Sequence, residues 1–146
     1  MMRNKLGLLG EDNKDKFLIV DLLTWMHQNK VDYTNTFCHL MKLRDYDDDI
    51  YKDNNFQNWK KNWQERLKLN NDTSENHIKL MRSVNPLLIP RNHKIEESLE
   101  KANNNNLDSF NKLLEILKKP YTQQENISDY LKMDSSSKEY KTFCGT

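Results

Sequence analysis

Glycine and proline are scarce, with three of each in 146 residues. Gly7, Gly10 and Gly145 do not cluster ahead of a helix, so the sequence has neither a P-loop nor a kinase-type glycine-rich loop. Cysteine is scarcer still. Cys38 and Cys144 do not make a disulfide framework, and a reducing, cytoplasmic setting is the expectation. Net charge is nearly absent, since 23 basic side chains face 22 acidic ones for a formal +1. That balance leaves no electrostatic footprint for nucleic acid or an anionic membrane. The longest apolar run is FLIV at 17–20, far too short to span a bilayer. The opening MMRNKLGLLGEDNKDK lacks the continuous apolar core and small-residue cleavage site of a signal peptide.

What is present is a polar chain with a thin core. The hydrophobic fraction is 36% and the mean hydropathy −1.00. Asparagine fills about one position in eight, against a few per cent in ordinary proteins. With so much lysine, this reads as the imprint of an AT-rich genome.

Apolar spacing predicts helices. DKFLIVDLLTWMHQN at 15–29 is apolar at 17–20, 22, 23, 25 and 26, which suits a helix buried on most sides. Asp32 or Thr34 caps a second helix with Phe37, Leu40 and Met41 on one face. The acidic connector RDYDDDIYKD follows. Phe56, Trp59, Trp63 and Leu67 then recur at helical spacing, with Lys60, Lys61 and Lys68 off that face. A short helix from Ser74 carries Ile78, Leu80 and Met81 and stops before Asn85-Pro86. Asn92 is the expected cap of a helix with Ile95, Leu99 and Ala102 inward. Asp108 is the expected cap of SFNKLLEILKK, with Phe110, Leu113, Leu114 and Leu117 inward and Pro120 ending the element. No stretch shows sustained period-2 alternation. The expected fold is all-α: five or six short helices over 1–120, then an irregular tail over 121–146. The first residues, MMRNKLGLLG, show no capped element.

Several patterns imitate chemistry without completing it. RDYDDD sets Asp45, Asp47 and Asp49 at calcium-loop positions 1, 3 and 5. Ile50 then stands where glycine is needed and Phe56 where glutamate is needed, so the loop is rejected. Cys38 and His39 are adjacent, and neighbours on a helix diverge by about 100°, which suits one metal ion poorly. A Cys–His nucleophile pair formed in space is the other way to use them. Trp59 and Trp63 beside Lys60, Lys61 and Arg66 fit packed tryptophans better than a nucleic-acid surface, given the neutral charge. The cluster that stands out is Asn85 with Arg91, Asn92 and His93, hydrogen-bonding side chains around two prolines. It suits a capping and docking network more than direct chemistry.

RSVNPLLIPRNHKIEESLEKA, reached here, resembles the C-terminal region of the SelO family (selenoprotein O, YdiU in bacteria). The resemblance extends in order through KLGL at 5–8, LIVDLLTWM at 18–26, VDYTNTF at 31–37, NWQERL at 62–67, LLEILKKPY at 113–121 and YKTFCGT at 140–146. NP with PRNH at this spacing, followed by a cysteine third from the end, is its specific part. The family pattern has arginine after the phenylalanine where this chain has Cys38. The resemblance implies part of a larger protein-kinase-like fold, a pseudokinase by sequence that acts as a protein adenylyltransferase. Such a parent binds ATP with Mg or Mn and transfers AMP to Ser, Thr or Tyr hydroxyls of protein substrates. Its nucleotide and metal residues lie upstream of the matched region. The expectation for this chain is therefore no catalytic, cofactor-binding or metal residue of its own, and support of a missing kinase-like half. The resemblance also implies a redox role for Cys144, because animal members carry selenocysteine at that place. The alternative is a free-standing helical interaction module.

Overall fold

The spine of the molecule is α4 (Asn54–Lys68), and its aromatic spacing explains why. Phe56, Trp59 and Trp63 are all buried, and Leu67 packs beside them. Their rings stack along the helix, Phe56 to Trp59 at 5.7 Å and Trp59 to Trp63 at 6.0 Å between centroids. Each buried indole N–H finds a carbonyl: Trp59 donates to Leu18 O and Trp63 to Leu6 O, both at 2.8 Å. A buried polar group without such a partner would be costly. The computed structural model describes residues 1–43, 49–70 and 74–133.

Around this spine lie α1 (Met2–Lys5), α2 (Asp15–Gln28), α3 (Tyr33–Leu40) and α5 (Ser74–Val84), with a 3-10 turn at Asp49–Lys52. A second unit follows, made of α6 (Asn92–Asn103), α7 (Asp108–Leu117) and α8 (Ser128–Leu131). The described residues form eight α-helices and no strand, so the all-α expectation holds while the count of five or six does not. The two extra helices are four residues long, below the length at which periodicity is readable.

α1 is the larger surprise, because the uncapped opening segment runs through the core. Lys5 is almost fully buried, and Leu6 and Leu8 are buried outright. Gly7 has φ +69, and a Cβ there would sit 3.0 Å from both the Cβ and the carbonyl oxygen of His77. Only glycine permits this approach to α5 without displacement.

α2 packs on α4 through Leu18, Leu22, Trp25 and Met26. It is not buried on most sides, since Phe17 and Val20 face outward at 68% and 49% exposure. Asp32 is the cap of α3, its carboxylate accepting from Asn35 N at 2.7 Å. Thr34 lies inside the helix. Phe37, Cys38, Leu40 and Met41 are all buried.

The second unit is thinner. Its core is Leu88, Ile116 and Ile127, with Leu117, Tyr130 and Leu131 packed against it. Leu87 N and Leu88 N both donate to Pro120 O, at 2.7 and 3.3 Å, tying the NPLL turn to the end of α7. Gln124 Nε2 covers two carbonyls at that end, Ile116 O at 2.9 Å and Lys119 O at 3.0 Å. Residues 121–133 are thus not wholly irregular: Ile127 is buried and α8 follows it. Two caps differ from expectation. Arg91 occupies the N-cap of α6 and Leu107 that of α7, so Asn92 and Asp108 are first helical residues. Asp108 still complements the positive end of α7. Leu99, Phe110 and Leu114, expected inward, are 49%, 40% and 45% exposed.

Candidate functional site

Three polar junctions hold the helices together, and the expected network residues divide among them. In the first, Asn85 is 1% exposed at the turn after α5, held by its backbone N–H to Met81 O at 2.9 Å. Its amide Nδ2 donates to Lys5 O at 2.9 Å, and its Oδ1 accepts from Lys5 Nζ at 3.2 Å. Lys5 Nζ also donates to Val84 O at 3.1 Å and lies 5.4 Å from the Phe37 ring centre. No carboxylate pairs with this ammonium among the described residues. Burial accordingly pushes the Lys5 pKa below its ordinary value.

At the second junction, Arg91 lays its guanidinium across the Asp32 carboxylate, Nη1 at 2.5 Å and Nη2 at 3.1 Å. Nη2 also reaches Leu131 O at 3.4 Å, and so does Asn35 Nδ2. One carboxylate therefore caps α3 and clamps the start of α6, while α8 closes the same knot. A planar fork suits this bidentate task in a way an ammonium would not. Arg91 joins the two units through this ion pair, beside the Asn35 bond to Leu131 O. Asn92 is exposed and His93 half-buried, and among the described residues neither side chain makes a hydrogen bond in the network. The NP and PRNH motifs thus supply Asn85 and Arg91 to two separate junctions.

The third junction gave no signal in the sequence. Arg66 Nε donates to Asp15 Oδ1 at 2.7 Å, with both side chains under 10% exposed. Its other nitrogens reach Leu9 O and Asn70 Oδ1. Asn70 in turn holds Gly7 O and Leu9 N. Asp15 lies near the start of one helix and Arg66 near the end of another, 51 residues apart, so only the tertiary fold brings them together.

Of the remaining candidates, Cys38 is fully buried and the His39 ring stacks on Tyr51 at 4.0 Å. Cys144 lies outside the described residues, as does the first half of the acidic connector, 44–48. Among the described residues, no group of three or more His, Cys, Asp or Glu side chains is placed to hold a metal ion. A cleft of about 720 Å³ lies between the end of α3 and helices α4 and α5. Lys60, Lys68, Lys79 and Arg82 rim it over Trp63 and Ile78. Of the candidates, His39 lines it, while Asn85, Arg91, Asn92 and His93 do not. No described helix is long and apolar enough to cross a membrane.

What this geometry defines is a set of structural junctions between helices. The sequence model of the SelO family, described as "Protein adenylyltransferase SelO", matches residues 1–118. This chain belongs to that family. It is 48% identical over 147 residues to the protein nucleotidyltransferase YdiU of Pelagibacter ubique, covering all of this chain and 30% of that protein. The YdiU proteins of Alcanivorax borkumensis and Clostridium botulinum are 39% and 42% identical, with 31% and 30% of their lengths covered. The chain therefore spans about a third of the length of the curated relatives it matches.

Proposed function

We propose that this chain is the C-terminal helical portion of a SelO-type protein adenylyltransferase, supporting a kinase-like core and catalysing nothing alone. The observation that carries this is the pairing of coverages, all of this chain against 30% of the Pelagibacter ubique relative. The structure supports it by what its polar residues do. Asp15, Asp32, Arg66, Arg91 and Asn85 are all engaged in holding helices to one another. Asp15 and Arg66 also line a cleft of about 590 Å³ beside α2 and α4, where their charges pair with each other.

In the parent, ATP and a divalent metal such as Mg or Mn supply the activated adenylyl group, and protein hydroxyls accept it. The residues for both would lie in the kinase-like half. Cys144 is the residue we assign to redox control, as a reversible disulfide with a cysteine of that half, in a cytoplasmic protein. If the reunited protein forms no redox-dependent disulfide at Cys144, and Cys144→Ser leaves its oxidant response unchanged, that assignment is wrong.

The test of the reading is mass spectrometry of the isolated chain incubated with ATP, Mg or Mn and a protein substrate. No AMP adduct on either polypeptide is the expected result. An adduct on either overturns the non-catalytic assignment.

A further inference from the structure

On the 100° per residue of an α-helix, the apolar positions of α7 and its N-cap Leu107 span one arc of about 180°, which Ser109 interrupts between Ile116 and Leu113. In order around it come Ile116, Leu113, Leu117, Phe110, Leu114 and Leu107. Asp108, Asn111, Lys112, Glu115 and Lys118 fill the polar side, where Lys118 pairs with Glu115 in solvent at 2.5 Å. Only part of the apolar arc is used. Leu113 and Ile116 are each 7% exposed, whereas Leu107, Phe110 and Leu114 stand 55%, 40% and 45% exposed. A helix lying on the surface of a finished domain needs only the first part of such an arc. A helix between two layers needs all of it. The partner helix α6 does not cover the remainder, and its one fully buried residue is Ser98.

We propose that Leu107, Phe110 and Leu114 form an intramolecular docking stripe. It is covered, in the full-length polypeptide, by the part of a SelO protein that this chain does not span. The proposal rests on the reading given above, and the length of the relatives is what names the occupant, since most of each lies outside the matched region. Size separates this occupant from a second copy. A stable complex between free partners buries about 800 Å² on each side, far more than three half-exposed side chains provide. A tethered neighbour needs much less, because the covalent link supplies a high effective concentration.

The test is thiol labelling. Leu114→Cys is made in a Cys144→Ser background, in the isolated chain and in a chimera where the chain replaces its counterpart in the Pelagibacter ubique relative. Asn111→Cys on the polar side is the control. Maleimide should modify position 114 at least tenfold more slowly in the chimera than in the isolated chain, with position 111 unchanged. Equal rates at 114 in a folded, active chimera overturn the docking stripe and leave the reading intact. A chimera that does not fold overturns the reading and the stripe with it. Protection at 114 that grows with concentration in the isolated chain overturns the assigned occupant in favour of a second copy.

Discussion

The aromatic unit around α4 and the hairpin of α6 and α7 are both built from amphipathic helices, yet they close differently. Around α4 the sequence contains both sides of each contact: tryptophans stack, their N–H groups meet carbonyls, and buried Arg66 meets buried Asp15. The hairpin uses only part of its apolar arc on a core of Leu88, Ile116 and Ile127. A helix face is a demand for cover. Along α4 the first unit answers it within the chain, though Phe17 and Val20 of α2 stay exposed, and the second unit answers it in part. Among the described residues the charged clamp between them is Arg91 on Asp32, helped by Leu87 N–H on Pro120 O and Asn35 on Leu131 O.

Breaking the two cores should separate these regions. Trp63→Ala removes a 4%-exposed ring and should cost about 3–5 kcal/mol, a large share of the stability of a small domain. Leu113→Ala should cost about 2–3 kcal/mol, at the low end for a buried leucine, because its surroundings can collapse. All three tryptophans, at 25, 59 and 63, lie in the first unit. Urea melts should therefore show Trp63→Ala moving tryptophan fluorescence and circular dichroism together. Leu113→Ala should move the dichroism and leave the fluorescence midpoint in place. Coincident shifts for Leu113→Ala would mean the two units are one cooperative body.

The charged junctions sharpen the contrast in another way. Arg66→Ala leaves the buried Asp15 charge without its counter-ion and with only the Asp12 N–H at 3.2 Å, and should cost about 3–5 kcal/mol. Arg91→Ala leaves Asp32 its capping role toward Asn35, so its cost should fall below that of Arg66→Ala, as read from urea midpoints.

The smallest effect is a pH dependence. Burial lowers the Lys5 pKa from its ordinary 10.5, so between the folded and the ordinary value the unfolded chain binds more protons. Stability should rise with pH through that window and level off above it. Lys5→Met should flatten the rise, and a profile unchanged by this substitution would remove Lys5 as its source.

Much of the first unit was legible because periodicity reports it directly. Phe56, Trp59 and Trp63 mark a face at helical spacing on α4, and Asp32, ahead of Phe37, Leu40 and Met41, caps α3. α1 was not legible, because four residues carry no period and Lys5 is held by a turn 80 residues away. Asn85 and Arg91 were found as network residues, while Asn92 and His93 were grouped with them by adjacency alone. Pro90 fixes the backbone ahead of Arg91, and the side chain that turns inward is the one whose fork finds a carboxylate. Arg66 with Asp15 was missed, since nothing local marks a pair 51 residues apart. Phe17, Phe110 and Leu114 show the limit of periodicity, which identifies an apolar face and not how much of it the same chain covers.

The most direct measurement is adenylyl transfer by the chimera in which this chain replaces its counterpart in the Pelagibacter ubique relative. AMP incorporation from ATP into a protein substrate should match the parent within a few-fold, while the isolated chain gives none. A folded chimera without transfer activity, or an isolated chain with it, would contradict the account.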